Sequence, residues 1–569
     1  MHGSSRASKR RPRKLSPQPG KLLAEQMGMH PQTASLRAGA IVLVFAAVGC
    51  GPAAETPPVD EDKATSPAPD AGSPADDARP LGLATPPSNA CPSGRCSSVD
   101  AAVAPTPTPE AEDAGAVDLS RGDSGMPGWA SSFGVTGYTE ALAVALDPTN
   151  GDIALAGYTS GSANLGGGVI AGGAFVARFA SGGAYKWAHL FPSGGVTVDS
   201  VAVDGAGDVL VSGAFFGTAD FGGGAVALTG PYEDIFLAEY DSSGGFRWLQ
   251  HASAVATAPE DNPGSPTAFP ASFNQVVFDA SGDIYCVGSS HGSAVDLGCG
   301  AMPTGAGEFI AELDSTGACA WSHAYGTSES FQDYPLNIAL DGAGNVLVAG
   351  GLFGTVDFGT GAMSDSYGDA DPLVFVQKLG ANGATLWANS FGPGAVYGLG
   401  TDANGNILMA GYSALGKTGN FDTFFVQKAD PTGSSVWSKT FAGGNLTGGS
   451  ANGLVVSAAG EPIVTGTFDS TVDLGGGPLN ATPLPPTGDN CGSCGVFVAK
   501  LSATGAYEWA FSPGPTGATQ VGTLRAGGIA ANATAVVTAG QFTGTLTFPG
   551  NTLTSVGTDG NAYLASFRP

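Results

Sequence analysis

The sequence predicts an all-β chain: a seven-bladed β-propeller of four-stranded antiparallel blades, closed by an N-terminal strand that pairs in the last blade and preceded by a disordered tail. Three observations carry this expectation. Gly accounts for 90 of the 569 residues while charged residues make up only 12%, and short runs of Val, Ala, Phe and Leu alternate with Gly, Asp and Asn, the form taken by strands and tight turns. From residue 127 onward one unit recurs. The recurrence is out of phase with the chain by one strand.

Each unit has four strand candidates. The first is a short apolar run such as "SVAVD" (200–204), and a turn of the type "DGAGD" leads to the second, "VLVSGAF" (209–215). A longer connection follows, in which "G-x-x-D-F/L-G-x-G" recurs. The third strand is of the "FVAKL" type, and after a second Asp/Gly turn the fourth carries Trp. Third strands begin at Phe175, Phe236, Phe309, Phe375, Phe425, Phe497 and Tyr563. The Trp residues, Trp129, Trp187, Trp248, Trp321, Trp387, Trp437 and Trp509, are also seven, spaced 50 to 73 residues apart. Second strands read apolar on both faces, as sheets covered on both sides require.

Trp129 precedes the first full unit, while the last stops at "YLASFRP" with none. A ring has a use for that offset: "GWASSFG" (128–134) can pair beside "AYLASF" (562–567) and remove an open sheet edge. The Trp set is expected to pack between neighbouring blades.

"DGAGNVLVAGGLFGTVDFG" together with "FVQKLGANGATLWANSFG" resembles the SBBP repeat, a family named for seven-bladed β-propellers. The resemblance covers about residues 127–569 and implies fold and organisation; it brings no catalytic residues. Units six and seven, with "SAAGEP" and "ANATAV", lack its Asp-x-x-Gly-Asp turn.

The N-terminal part reads as an address. "GAIVLVFAAVGC" (39–50) is an apolar run too short to span a bilayer, with the length of a signal-peptide core. Ala47-Val48-Gly49-Cys50 resembles the bacterial lipobox, which implies diacylglycerol on Cys50; the alternative is a plain secretory signal. Residues 1–49 are thus expected to be a signal peptide, with translation starting at Met27 or Met29. Residues 50–126, rich in Pro, Ala and Asp, form a disordered tether, and 127–569 the propeller. Gly51, where an Asp would be an inner-membrane retention cue, favours the outer membrane.

Residues 1–49 hold eight Lys or Arg against Glu25; of the 22 basic and 49 acidic residues in the chain, the rest leave a net charge of −34 on residues 50–569. Such a surface repels nucleic acid.

Candidate chemistry is sparse. His2 and His30 fall in the leader, His189, His251 and His323 follow Trp strands, and neither these nor His291 shows metal-ligand spacing. No catalytic residue is assigned. Asp147, Asp204, Asp279, Asp341 and Asp402 open first turns, Asp152, Asp208 and Asp283 close some of them, and Asp220, Asp296, Asp357 and Asp473 recur in the "D-F/L-G" element. They are expected to accept backbone hydrogen bonds, with Ca²⁺ coordination as the alternative. "LDSTGACAW" resembles the Trp-docking hairpins of quinoprotein dehydrogenases, but no cofactor site accompanies it. Cysteine usage suits an exported protein, with bridges expected at Cys91–Cys96, Cys491–Cys494 and Cys299–Cys319, and Cys286 buried and free.

The function expected is a non-enzymatic platform: a lipid-anchored propeller at the outer membrane or cell surface, monomeric, binding a protein or glycan through the loops 256–273, 364–372 and 480–495. The alternatives are a quinone-dependent or hydrolytic enzyme and a calcium-binding structural propeller.

Overall fold

The computed structural model describes Gly125 and residues 127–569, apart from segments 192–194, 231–232, 254, 257–270, 291–292, 303–305, 327–335, 366–371, 414–422, 444–449, 470, 484–492, 515–523 and 557–559. The described chain is an all-β propeller of four-stranded antiparallel blades, without helices. Unit 1 is a sheet of Thr139–Leu146, Ile153–Thr159, Gly173–Phe179 and Tyr185–Phe191, paired in sequence order. Val196–Val203, Val209–Phe215, Asp234–Tyr240 and Phe246–Ser253 build unit 2, and Ala271–Phe278, Ile284–Ser290, Ala306–Leu313 and Cys319–Gly326 build unit 3 in the same way. Units 4 and 5 are fused into one seven-stranded sheet, because the outer strand of unit 4 runs on without a break as Thr385–Thr401.

The phase offset is resolved as the sequence requires. Leu524–Ala531, Val536–Phe542 and Asn561–Phe567 receive Pro127–Phe133 as their fourth strand. That strand is antiparallel to Asn561–Phe567, with Ala130 opposite Ala565 and Phe133 opposite Ala562. Phe133 then joins a core shared between unit 1 (Ile153, Leu155, Phe175) and unit 7 (Val537, Ala539, Leu564). The hydrophobic core is divided in this manner throughout, each cluster lying between consecutive units.

The second and third strands explain why the repeat is so apolar. Val209–Phe215 and Asp234–Tyr240 are buried at every position. Both faces of each central strand meet a neighbouring sheet, so alternation of apolar and polar residues is lost.

The two ends of the blades differ. At one end the first and second strands, and the third and fourth, are joined by short Asp/Gly turns. At the other end the connections are longer and differ between units. Ala271, Leu373 and Ser493, which follow the loops singled out in the sequence, all begin strands at this loop end.

Candidate functional site

At the turn end the carboxylates are structural. Asp204 Oδ1 accepts from the backbone N–H groups of Ala206 and Asp208, Asp279 from Ser281 and Asp283, Asp341 from Ala343 and Asn345, and Asp402 from Asn404 and Asn406. Unit 6 makes the same turn with another residue, Ser457 Oγ accepting from Ala459 and Glu461, and unit 7 makes a turn one residue shorter in which Asn532 Oδ1 accepts from Thr534 and Ala535. A short side chain bearing an oxygen is the requirement, not a charge.

A cation on the third strand completes several of these turns. Lys378 Nζ lies 2.8 Å from Asp341, Lys428 Nζ 2.8 Å from Asp402 and Lys500 Nζ 2.7 Å from Glu461. The buried Arg178 bridges Asp147 at 2.5 Å and Asp152 at 3.3 Å. Burial alone would raise the pKa of Asp147, Asp341 and Asp402, but hydrogen bonds from their turn residues and these cations hold all three below the usual carboxylate value. Units 2 and 3 carry Glu239 and Glu312 at the cation position. Burial pushes Glu239 up to about 7, although Arg247 from the fourth strand partly offsets this.

The "D-F/L-G-x-G" element proves to be a seat. Asp220, Asp296, Asp357 and Asp473 each accept from the N–H groups two and four residues on, which presents the glycines to the first residue of the outer strand. A Cβ on Gly476 would lie 2.1 Å from the Tyr507 ring, and one on Gly223 2.4 Å from Phe246. In unit 3 the aromatic is replaced by Cys319, which bonds Cys299 in the seat itself, with Cα atoms 5.5 Å apart. A shallow cleft of about 490 Å³ beside the unit 6 seat is lined by Lys439, Phe441, Asp473 and Tyr507.

Every Trp lies on a glycine of the next unit. Methyl groups added at Gly183, Gly244, Gly317, Gly383, Gly433 and Gly505 would come within 2.8–3.1 Å of Trp129, Trp187, Trp248, Trp321, Trp387 and Trp437 respectively. Trp509 lies in the same way on Gly125, ahead of the closing strand, where the distance would be 2.6 Å. These glycines have φ between 77° and 89°, so any other residue would be strained as well as crowded. The indole N–H of Trp187 donates to Ser242 O at 3.1 Å, and that of Trp437 to Ala503 O at 3.1 Å. His189 and His323 flank the same contacts: His189 Nε2 is 2.6 Å from Gly244 O, and His323 stands beside Trp321.

At the loop end, buried carboxyls are left over in units 2 and 3. Neither side-chain oxygen of Glu233 or Glu308 has a hydrogen-bond partner, and Asp234 Oδ1 has none either. Burial raises Glu233 to about 8, with a further push from Asp199. Asp199 sits at the bulge between Val198 and Ser200 and is itself raised to about 7 by burial. Asp234 Oδ2 is better served, by Thr229 and by His251 Nδ1 at 2.7 Å. Unsatisfied buried carboxyls are expensive and mark sites where structure yields to chemistry or binding. None of these residues carries a motif, and a sequence reading centred on the turn-end acids passes over them.

Among the described residues, no group of three or more His, Cys, Asp or Glu side chains is arranged to hold a metal ion. Cys286 is buried and free, and burial pushes its thiol up to about 12. Cys50, Cys91, Cys96, Cys491 and His291 lie outside the described residues; Cys494 begins to be seen only as a backbone position in Ser493–Leu501.

No protein-family model and no curated protein matches the chain. Among solved structures, the Dos1 propeller is similar over 78% of this chain and 94% of its own, at 10% identity and a TM-score of 0.37. Polysaccharide lyase Uly1 is similar over 75% and 89% (9% identity, TM-score 0.38), and a calcium-binding protein, regucalcin from Agrobacterium tumefaciens, over 59% and 85% (12% identity, TM-score 0.28). These likenesses carry no information on activity.

Proposed function

We propose that the chain is a seven-bladed ring held to a membrane through a lipid on Cys50, whose loop end binds a protein or a glycan. The count of seven is supported by the cycle of Trp residues on glycines, which returns from Trp509 to Gly125, and by the cores between consecutive units. One blade boundary then falls inside the continuous strand Thr385–Thr401. Residues 50–126 act as a tether, the propeller is monomeric, and the protein resides at the outer membrane or cell surface. Nucleic acid is not a partner.

The observation that carries the binding reading is the contrast between the ends. The turn end spends its carboxylates on its own backbone and on Lys and Arg side chains. The loop end varies from unit to unit and leaves both carboxyl oxygens of Glu233 and Glu308, and Oδ1 of Asp234, without a partner. Rigid blades presenting variable loops are a common arrangement for recognition. The test immobilises the full chain and, in parallel, a variant with residues 257–270 replaced by a short Gly/Ser turn, and exposes both to envelope extract and a glycan array. Ligands held by the first and lost by the second support the reading; identical retention on both, or none, sinks it. For the anchor, a Cys50→Ala chain should leave the membrane fraction, and unchanged fractionation would refute lipidation.

One observation favours hydrolysis as a second reading: burial raises the carboxyls of Asp199 and Glu233 toward neutrality, with Asp199 adding to the rise of Glu233, the condition for general acid–base work. Glycoside and ester substrates assayed with Glu233→Gln as the control would separate it from binding.

A further inference from the structure

A polar row crosses the seam between units 3 and 4. Strand register sets Ser272, Ser289, Glu308 and Tyr325 side by side across the four strands of unit 3. Alternation turns them toward unit 4, on the face that also carries Val287, Ile310 and Trp321. In the other units the place of Glu308, just before the third-strand aromatic, is held by Ala174, Ile235, Val374, Phe424, Val496 and Ala562. A glutamate has thus replaced a core residue, fully buried, with both oxygens unpartnered.

The facing unit adds to this. Gln377 of unit 4, also fully buried, donates through Nε2 to Tyr325 Oη at 2.9 Å and to Thr385 Oγ1 at 3.1 Å, and its Oε1 has no partner. Ser272 Oγ and Ser289 Oγ are hydrogen-bonded at 3.1 Å, and either hydroxyl can be the donor. Around Tyr325 there are therefore three unpartnered acceptors. Among the described residues of the seam no unpartnered donor faces them.

We propose that the seam between units 3 and 4 binds a desolvated alkali-metal cation, held by the Glu308 carboxylate and the neutral oxygens of Gln377 and Ser289. Buried acceptors need a donor or a positive charge. Hard cations take oxygen ligands of this kind. One carboxylate balances one positive charge, whereas a divalent ion would leave net charge buried among Leu336, Ile338 and Phe375. Without a counter-charge, burial lifts the Glu308 carboxyl to about 8; a cation bound beside it would favour the ionised form.

The test is thermal melting of the full chain in NaCl, KCl and choline chloride at equal ionic strength and neutral pH, for the natural sequence, Glu308→Gln and Glu308→Val. Valine occupies this position in units 4 and 6, so that variant is the one expected to keep the fold. The natural protein should melt several degrees higher in NaCl or KCl than in choline chloride, and both variants should lose the difference. Equal melting in all three salts, as expected if the seam holds water or a neutral carboxyl, overturns the proposal. So does a salt effect that survives in both variants. Crystals soaked in thallous salt should give an anomalous peak between Glu308 and Gln377, and its absence counts against the site.

Discussion

Phe133→Ala is the sharpest probe of ring closure. Phe133 ends the closing strand, is 6% exposed, and stacks on Phe179 of unit 1 with ring centroids 5.4 Å apart and planes 29° apart. It therefore ties the last sheet to the first. Truncating a buried Phe costs about 3–5 kcal/mol, and losing the ring pair accounts for about 0.5–1.5 kcal/mol beyond area burial. A loss near 4 kcal/mol raises the population with the closing strand detached roughly a thousandfold. That is a large share of the 5–15 kcal/mol typical of a folded domain. Guanidinium unfolding followed by Trp fluorescence reports the energy, and amide exchange in Pro127–Phe133 and Asn561–Phe567 reports where protection falls first. Ser132→Ala, on the adjacent part-buried position, should stay within about 0.5 kcal/mol. A Phe133→Ala loss below about 1 kcal/mol, or protection lost first in another unit, would show that the closing strand does not hold the ring.

Arg178→Met should cost about 3–5 kcal/mol in urea unfolding, because Asp147 and Asp152 remain buried without the guanidinium; a cost below about 1 kcal/mol would mean the acids had found solvent. The double variant C299S/C319S should lose about 3 kcal/mol, the loop-closure entropy expected for a separation of 20 residues, and an unchanged denaturation midpoint would contradict this. Stability should fall as pH rises. The folded pKa values of Asp199, about 7, and Glu233, about 8, lie above their ordinary values of 3.8 and 4.5. The native state therefore holds more protons than the unfolded chain across that window. The stabilisation is complete at the acid end and gone above about pH 8; Glu233→Gln should flatten the melting curve against pH, and a melting point that climbs from pH 5 to 8 would reverse the assignment.

The features legible in the sequence were those that repeat. The Trp set, the Asp/Gly turns and the displaced closing strand each recur with a period, so comparison of units reveals them even without homologues. The role of Asp279 or Asp341 as a turn acceptor follows from local chain geometry alone. The Cys299–Cys319 bridge was found by elimination, but its reason was hidden: it stands in for the aromatic-on-glycine contact of Tyr185, Phe246 and Tyr507, visible only once the seat is seen. Ser457 and Asn532 depart from the repeat in charge but keep what the turn needs, a side-chain oxygen close to the backbone. Glu308 and Gln377 escaped because their significance depends on which side of a sheet faces which neighbour. In "GEFIAEL" Glu308 looks like the polar flank of an ordinary strand.

Gly125 N donates to Arg568 O at 3.0 Å, the same bond that Gly183 N makes to Ala180 O inside an unbroken hairpin. The chain's cut thus falls within one of a set of equivalent outer turns, and the molecule has no stake in which one. A gene rejoined across this gap and reopened at the turn of Gly317 or Gly433 should yield a permutant with the same seams, its entry and exit moved around the rim. The point on the rim from which the segment ahead of Gly125 departs, and the loops that lie beside it, would then change while the packing between units stays the same.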